Sequence, residues 1–300
     1  MSARSRLLTF VGVLLVALAP SCTVQQRQAL IAVTEQPATT TTTTPPPATR
    51  RPDATVAAFC GPTTSHPAWR VQMATLADIG VTAVHGYCYT PPAGYTVLDP
   101  GSRYASQAEY LELAGEASRL GLGVIAYDPQ FWTDPTAAAA VWAPFIADGT
   151  LVGVDLGDEP GWSDMAELNR RAAIVRTAGV EPQLIFVGGH VQPVADQHAA
   201  VPTICPTSDD YESNTRALDD LRILLAVAGC AGIAIDTTGR DMDRNGDRWS
   251  TDQIAAAQQL GARITLFTGV QPENFPTWDA LVDANGHITP AGAAVKEALQ

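Results

Sequence analysis

The chain has 300 residues, with 18 Lys and Arg against 31 Asp and Glu and a formal net charge of −13. That balance repels nucleic acid and anionic lipid, and it suits a neutral or cationic ligand or a metal ion. A hydrophobic share of 46% over this length is enough for a sizeable core, and the basic residues near the N-terminus leave the remainder more acidic still.

Arg4 and Arg6 precede an apolar run from Leu7 to Leu18. This is the pattern of an export signal, and it is too short for a spanning helix, which needs about 20 apolar residues. The run ends in Ala19-Pro20-Ser21-Cys22. A small residue before Cys resembles a bacterial lipobox, with the usual Leu displaced to Leu18. A lipid on Cys22 would tether the chain to a membrane without a spanning segment; the alternative is ordinary cleavage nearby with Cys22 incidental. The next segment includes Thr39–Thr44 and Pro45-Pro46-Pro47. It cannot bury enough apolar area to offset chain entropy, so it reads as an extended stalk. The expected organisation is a signal over 1–22, a tether over 23–53 and one folded domain over 54–300. The expected location is extracytoplasmic, as a cell-surface lipoprotein or a secreted protein.

Within 54–300, short apolar runs alternate with helical patterns. The predicted strands are Thr55–Cys60, Val81–Tyr89, Gly123–Tyr127, Leu151–Leu156, Gln183–Val187, Val201–Cys205, Gly232–Ile235 and Ile264–Thr268. They read as continuous apolar runs, as expected of parallel strands covered on both faces. Helices are predicted at Pro67–Ile79, Ser106–Leu120, Pro135–Ala147, Ser163–Ala178, Ser213–Ala228, Asp252–Leu260 and Pro290–Leu299. Ser106 and Glu109 form a capping box, and Pro135 and Pro290 suit first-turn positions. Gly80, Gly121, Gly179, Gly229 and Gly261 each come just after a helix, where a left-handed residue ends it. Eight such units predict an α/β fold of the closed (β/α)8 TIM-barrel type, irregular between strands five and six. No glycine-rich phosphate loop comes after strand one, which argues against a dinucleotide fold. Cys60, Cys88, Cys205 and Cys230 permit two disulfides in three connectivities. Cys60 with Cys88 is favoured, since both fall near the ends of neighbouring strands; the alternative leaves some thiols buried and free.

In such a barrel, sites lie at the carboxyl ends of the strands. Polar, acidic and aromatic residues gather there: His85, Asp128, Asp158, Glu159, His190, Asp209, Asp210, Tyr211 and Asp236. The sequence Val154-Asp155-Leu156-Gly157-Asp158-Glu159-Pro160 resembles the clan A glycoside hydrolases, (β/α)8 enzymes with an Asn-Glu-Pro or Asp-Glu-Pro sequence at the end of strand four. The resemblance implies that Glu159 is a general acid/base. On physical grounds alone, a carboxyl at the barrel mouth beside Trp162 would have a raised pKa and protonate a glycosidic oxygen. The alternative is that Asp158 and Glu159 cap the next helix. In the resembled clan the second carboxylate is a Glu ending strand seven; here Asp236 stands there, one methylene shorter, which leaves retention and inversion both open. Tyr211 is a candidate partner of that carboxylate. His85, His190, Asp128 and Asp158 are candidate sugar-binding groups, and Trp132, Trp162 and Trp278 candidate stacking platforms, the alternative for each being a packing role.

A second motif is separate. Asp241, Asp243, Asn245, Gly246, Asp247 and then Asp252 resemble an EF-hand or dockerin calcium loop, with oxygen ligands at alternate positions and a glycine at the sharp turn. A calcium ion there would stiffen the loop after Asp236. Two functions compete: an extracytoplasmic glycosidase acting on a glycan, and a non-catalytic barrel that binds a glycan or a protein partner on the same rim. Nucleic acid is not an expected partner, and a membrane is one only through a lipid on Cys22.

Overall fold

Ring closure in this protein rests on very short strands. A computed structural model describes residues 56–86, 106–158, 162–187, 204–209, 217–235, 248–267, 269–270 and 280–300, all within the compact unit Pro47–Gln300. In chain order the elements are β1 (Val56–Phe59), α1 (Trp69–Ile79), β2 (Ala83–His85), α2 (Gln107–Leu120), β3 (Gly123–Ala126), α3 (Gln130–Thr133), α4 (Pro135–Ala147) and β4 (Leu151–Asp158). They continue through a 3-10 turn (Trp162–Asp164), α5 (Met165–Thr177), β5 (Pro182–Val187), β6 (Thr207–Asp209), α6 (Ala217–Ala228), β7 (Gly232–Ile235), α7 (Arg248–Gln259), β8 (Arg263–Leu266) and α8 (Pro290–Leu299). The eight strands form a closed barrel in sequence order. Every pairing is parallel, and β8 closes on β1 through Val56 opposite Ile264.

Local chemistry explains the helix boundaries. The Ser106 side chain accepts from the Glu109 amide while Glu109 reaches back to Ser106, the full capping box. Pro135 and Pro290 occupy the first turns of α4 and α8, capped by Asp134 and Thr289. Gly80 ends α1 at φ 109° and Gly121 ends α2 at φ 76°, conformations that cost a side-chain-bearing residue about 1 kcal/mol or more.

Many boundaries differ by a few residues from the sequence expectation, and three differences stand out. The sixth strand is Thr207–Asp209, and Ile204 and Cys205 of the expected Val201–Cys205 lie outside it. Ile204 and Cys205 are buried, but Pro206 has no amide to give to a ladder; its carbonyl accepts from Gly232 instead. The seventh helix starts at Arg248, four residues before the expected Asp252. The short α3 has no counterpart among the predicted elements, because one helical turn leaves no periodicity to read.

The main core lies between strands and helices, where Leu76, Leu113, Trp142, Leu168, Val175, Leu224 and Ile254 are buried. A separate small cluster of Ala57, Ala83 and Ile125, with Val152 against it, comes from strands alone and fills the inside of the ring. Side chains alternate along a strand. Phe59, His85 and Tyr127, two residues on from Ala57, Ala83 and Ile125, therefore share the inner face, one layer nearer the carboxyl ends.

Candidate active site

That upper layer begins with aromatic packing. The Phe59 and His85 rings meet edge-on at 4.8 Å, and Phe59 stacks on Phe267 at 5.2 Å. The mouth beside them is drawn tight. Cys60 adopts φ 56°, uncommon for a residue with a side chain, and it is disulfide-bonded. The Gly61 amide donates to the Gly86 carbonyl, and a Cβ on Gly61 would stand 2.7 Å from that oxygen. The expected partner Cys88 lies outside the described residues.

His85 Nε2 lies 3.0 Å from Asp155 Oδ2, and both side chains are almost wholly buried. A carboxylate can only accept, so the contact places the hydrogen on Nε2. Burying either group alone would cost several kcal/mol, about what the pairing must offset. Asp155 is a site residue that the sequence pattern does not single out. A signal exists all the same, because an acid within the apolar run of β4 needs a partner, and His85 is the ionisable group ending β2.

Asp155 also shapes the strand that carries it. Pairing between β4 and β5 runs Asp155 to Gln183 and then Asp158 to Ile185, so β4 carries an extra residue there. Such bulges are rare in parallel pairs, and they re-aim the neighbouring side chains. Two side chains hold this one. Asp155 Oδ1 accepts from the Gly157 amide at 3.2 Å. From α5, Arg171 Nη1 donates to the Leu156 carbonyl at 2.9 Å, while its Nε donates to Glu167 at 2.9 Å and its guanidinium lies 4.5 Å over the Trp132 ring. Glu167 also accepts from Arg170. Arg170 first, then Arg171, hold its carboxyl down at about 2 against the opposing effect of burial.

Asp128 is buried and occupied by protein donors. Its carboxylate accepts from the Gln107 amide at 2.8 Å, the Trp142 indole at 2.7 Å and the Gln130 backbone at 3.0 Å. It ties α2, α3 and α4 together. Trp132 is buried between Tyr127 and Arg171, which is the packing alternative for that ring. Tyr110 of α2 is wholly buried beside Tyr127, and burial pushes its hydroxyl well above the ordinary range, with Asp155 and Asp128 adding to the rise. It stands as a neutral phenol at any physiological pH.

The structure thus brings His85 together with Asp155, and sets Asp128 and Trp132 behind them as support. Asp158 is the last residue of β4, and Trp162 opens the 3-10 turn after it. Glu159, His190, Tyr211, Asp236 and Trp278 lie outside the described residues, as do Asp241, Asp243, Asn245 and Asp247 of the calcium-type loop and Cys22 of the lipobox-like segment. Asp252 is exposed in the second turn of α7. Among the described residues no helix is long and apolar enough to cross a membrane.

A closed parallel ring, a paired imidazole and carboxylate in its upper layer, and a bulged fourth strand define a (β/α)8 barrel with its polar groups at the carboxyl-end mouth. The chain is similar in fold to a GH5-4 broad specificity endoglucanase from Clostridum cellulovorans, at 11% identity over 82% of this chain and 93% of that one, with a TM-score of 0.55. It is also similar to a ligand-free tryptophan synthase from M. tuberculosis, at 14% identity over 81% of this chain and 94% of that one, with a TM-score of 0.51. Identities this low, shared with enzymes of unrelated chemistry, establish the fold alone. No protein-family model matches the sequence, and no curated protein matches it.

Proposed function

We propose that the chain is an extracytoplasmic glycoside hydrolase-like protein, carried behind a signal and a Thr/Pro tether, that acts on a glycan by carboxylate acid/base chemistry. Glu159 is the general acid and Asp236 its partner. The observation that supports this reading is the bulge of β4, held by Asp155 on one side and Arg171 on the other. Asp158 is the final strand residue, so Glu159 is the next residue in the chain after a strand end whose direction the bulge fixes. A general acid needs such fixed aim, because proton transfer depends on hydrogen-bond reach to the leaving oxygen. The His85–Asp155 pair supplies a buried polar floor to the same mouth.

Asp236 comes directly after β7, whose last residue is Ile235. A carboxyl separation of about 5–5.5 Å from Glu159 supports retention, and about 6.5–9.5 Å supports inversion through a water. Calcium belongs to the same proposal: the Asp241–Asp252 loop would hold the ion, with Asp252 contributing from the second turn of α7, and stiffen the segment after Asp236.

The test is turnover of aryl glycosides and binding to glycan arrays by the wild type and Glu159→Gln. Removing the acid should cost about 10²–10⁴-fold in turnover, while glycan affinity stays close to wild type. Equal turnover in both proteins removes Glu159 from the mechanism. Glycan binding without turnover in the wild type selects the non-catalytic binding reading.

A further inference from the structure

At the opposite end of the barrel, two cysteines enter neighbouring strands in step. β6 and β7 are paired with Thr207 opposite Gly232. Counting two residues back on each side sets Cys205 opposite Cys230, and the Gly232 amide still donates to the Pro206 carbonyl at 2.8 Å between them. Neighbouring strands lie about 4.8 Å apart, inside the Cα separation of about 4.4–6.8 Å that a disulfide requires. The two side chains are in hydrogen-bond contact. Both are free thiols, Cys205 buried and Cys230 exposed.

We propose that Cys205 and Cys230 are a disulfide site, closed by exchange with an external disulfide, which staples the entry of β6 to the turn between α6 and β7. The exchange starts on the exposed sulfur. The Cys230 thiolate attacks one sulfur of the donor disulfide; the donor S–S bond breaks, one donor thiolate leaves, and Cys230 is held in a mixed disulfide. Cys205 then attacks Cys230 Sγ, the mixed bond breaks, and the second donor thiolate leaves. The two cysteines lose two electrons and two protons; the donor disulfide gains the electrons, and the protons end on its two thiols.

The environment sets the order of these steps. Burial, and then the hydrogen bond to Cys230, push the Cys205 thiol up to about 12, with Glu181 adding slightly and Arg263 opposing. Exposure lets Cys230 meet an external disulfide first, and Cys205, buried beside it, resolves the mixed disulfide. The staple would close a loop of about 25 residues at the amino-end face, where barrels carry stability and not chemistry.

The experiment exposes the folded full chain to oxidised glutathione and maps peptides without reduction. A Cys205–Cys230 cross-linked peptide is expected. Cys205→Ser should accumulate one glutathione on Cys230, and Cys230→Ser should leave Cys205 unmodified. Oxidised wild type should melt roughly 5 °C or more above oxidised Cys230→Ser. The proposal is overturned if both thiols of the treated wild type are still fully alkylated after unfolding, or if Cys230 cross-links to a second chain while Cys205 stays reduced.

Discussion

The two ends of this barrel are built on opposite principles. At the amino ends, chain direction is reversed by glycines in the left-handed region: Gly80, Gly121, Gly179, Gly229 and Gly261 have φ between 67° and 109°, and at four of them no neighbouring atom would meet a Cβ. At the carboxyl ends of β2, β3 and β4, the protein instead buries the polar side chains His85, Asp128 and Asp155. The first end relies on backbone freedom, with one register shift where β3 meets the start of β4. The second holds buried polar side chains that need partners, and the bulge of β4 against β5.

The sharpest way to break this contrast is Asp155→Ala. It strands a buried imidazole and frees the bulge of β4, and should cost about 3–5 kcal/mol in urea-unfolding stability. Asp155→Asn, which keeps an acceptor, should cost less. A loss under about 1 kcal/mol for the alanine variant would show that the pair is not held as a unit.

The proposed calcium loop gives a second test. Addition of EDTA should lower the melting temperature, and calcium should restore it by mass action, by about 2.7 kcal/mol at a hundredfold excess over Kd. Magnesium should restore it poorly, since it demands stricter octahedral geometry. No thermal shift and no heat on titrating metal-stripped protein would remove the ion from the account.

A smaller effect is expected at the amino end. Gly121→Ala meets no neighbour and changes only backbone conformation, so the loss should be about 1–2 kcal/mol at φ 76°. A loss as large as that of Asp155→Ala would erase the distinction between the two ends.

The smallest effect is one of pH. Glu167 holds Arg171 against the β4 bulge, and its folded carboxyl, held by Arg170 and Arg171, lies at about 2 where its ordinary value is 4.5. A depressed acid contributes stability that is complete above 4.5 and is lost as pH falls through about 2. The melting temperature of the wild type should therefore converge on that of Glu167→Gln over this window. A gap between them that does not change with pH would show that the ion pair contributes nothing; the carboxylate is about a third exposed, so solvent screening keeps the effect modest.

Much of the fold is legible from local pattern. β7 and the helices Pro135–Ala147 and Pro290–Leu299 fall on their predicted bounds, because apolar runs, proline at a first turn and glycine at a helix end each act through neighbouring residues. β6 is not legible in the same way: the pattern Val201–Cys205 is as apolar as a strand, while the ladder begins only after Pro206. The site is legible in kind but not in arrangement. The concentration of acids at strand ends points to the mouth where the buried polar groups lie, yet the local pattern shows Asp155 only as an acid in an apolar run and does not give His85 as its partner.

The sequence by itself determined the eight-fold alternation and its glycine punctuation, since torsional preference and side-chain period act within a turn or two of the chain. Only the tertiary structure decided that His85 finds Asp155 across 70 residues, that Arg171 reaches the bulge of β4, and that Cys205 stands in step with Cys230. Those meetings depend on how each parallel strand registers against the next once the ring has closed, and register between strands far apart in the chain is set by the packing of the whole barrel.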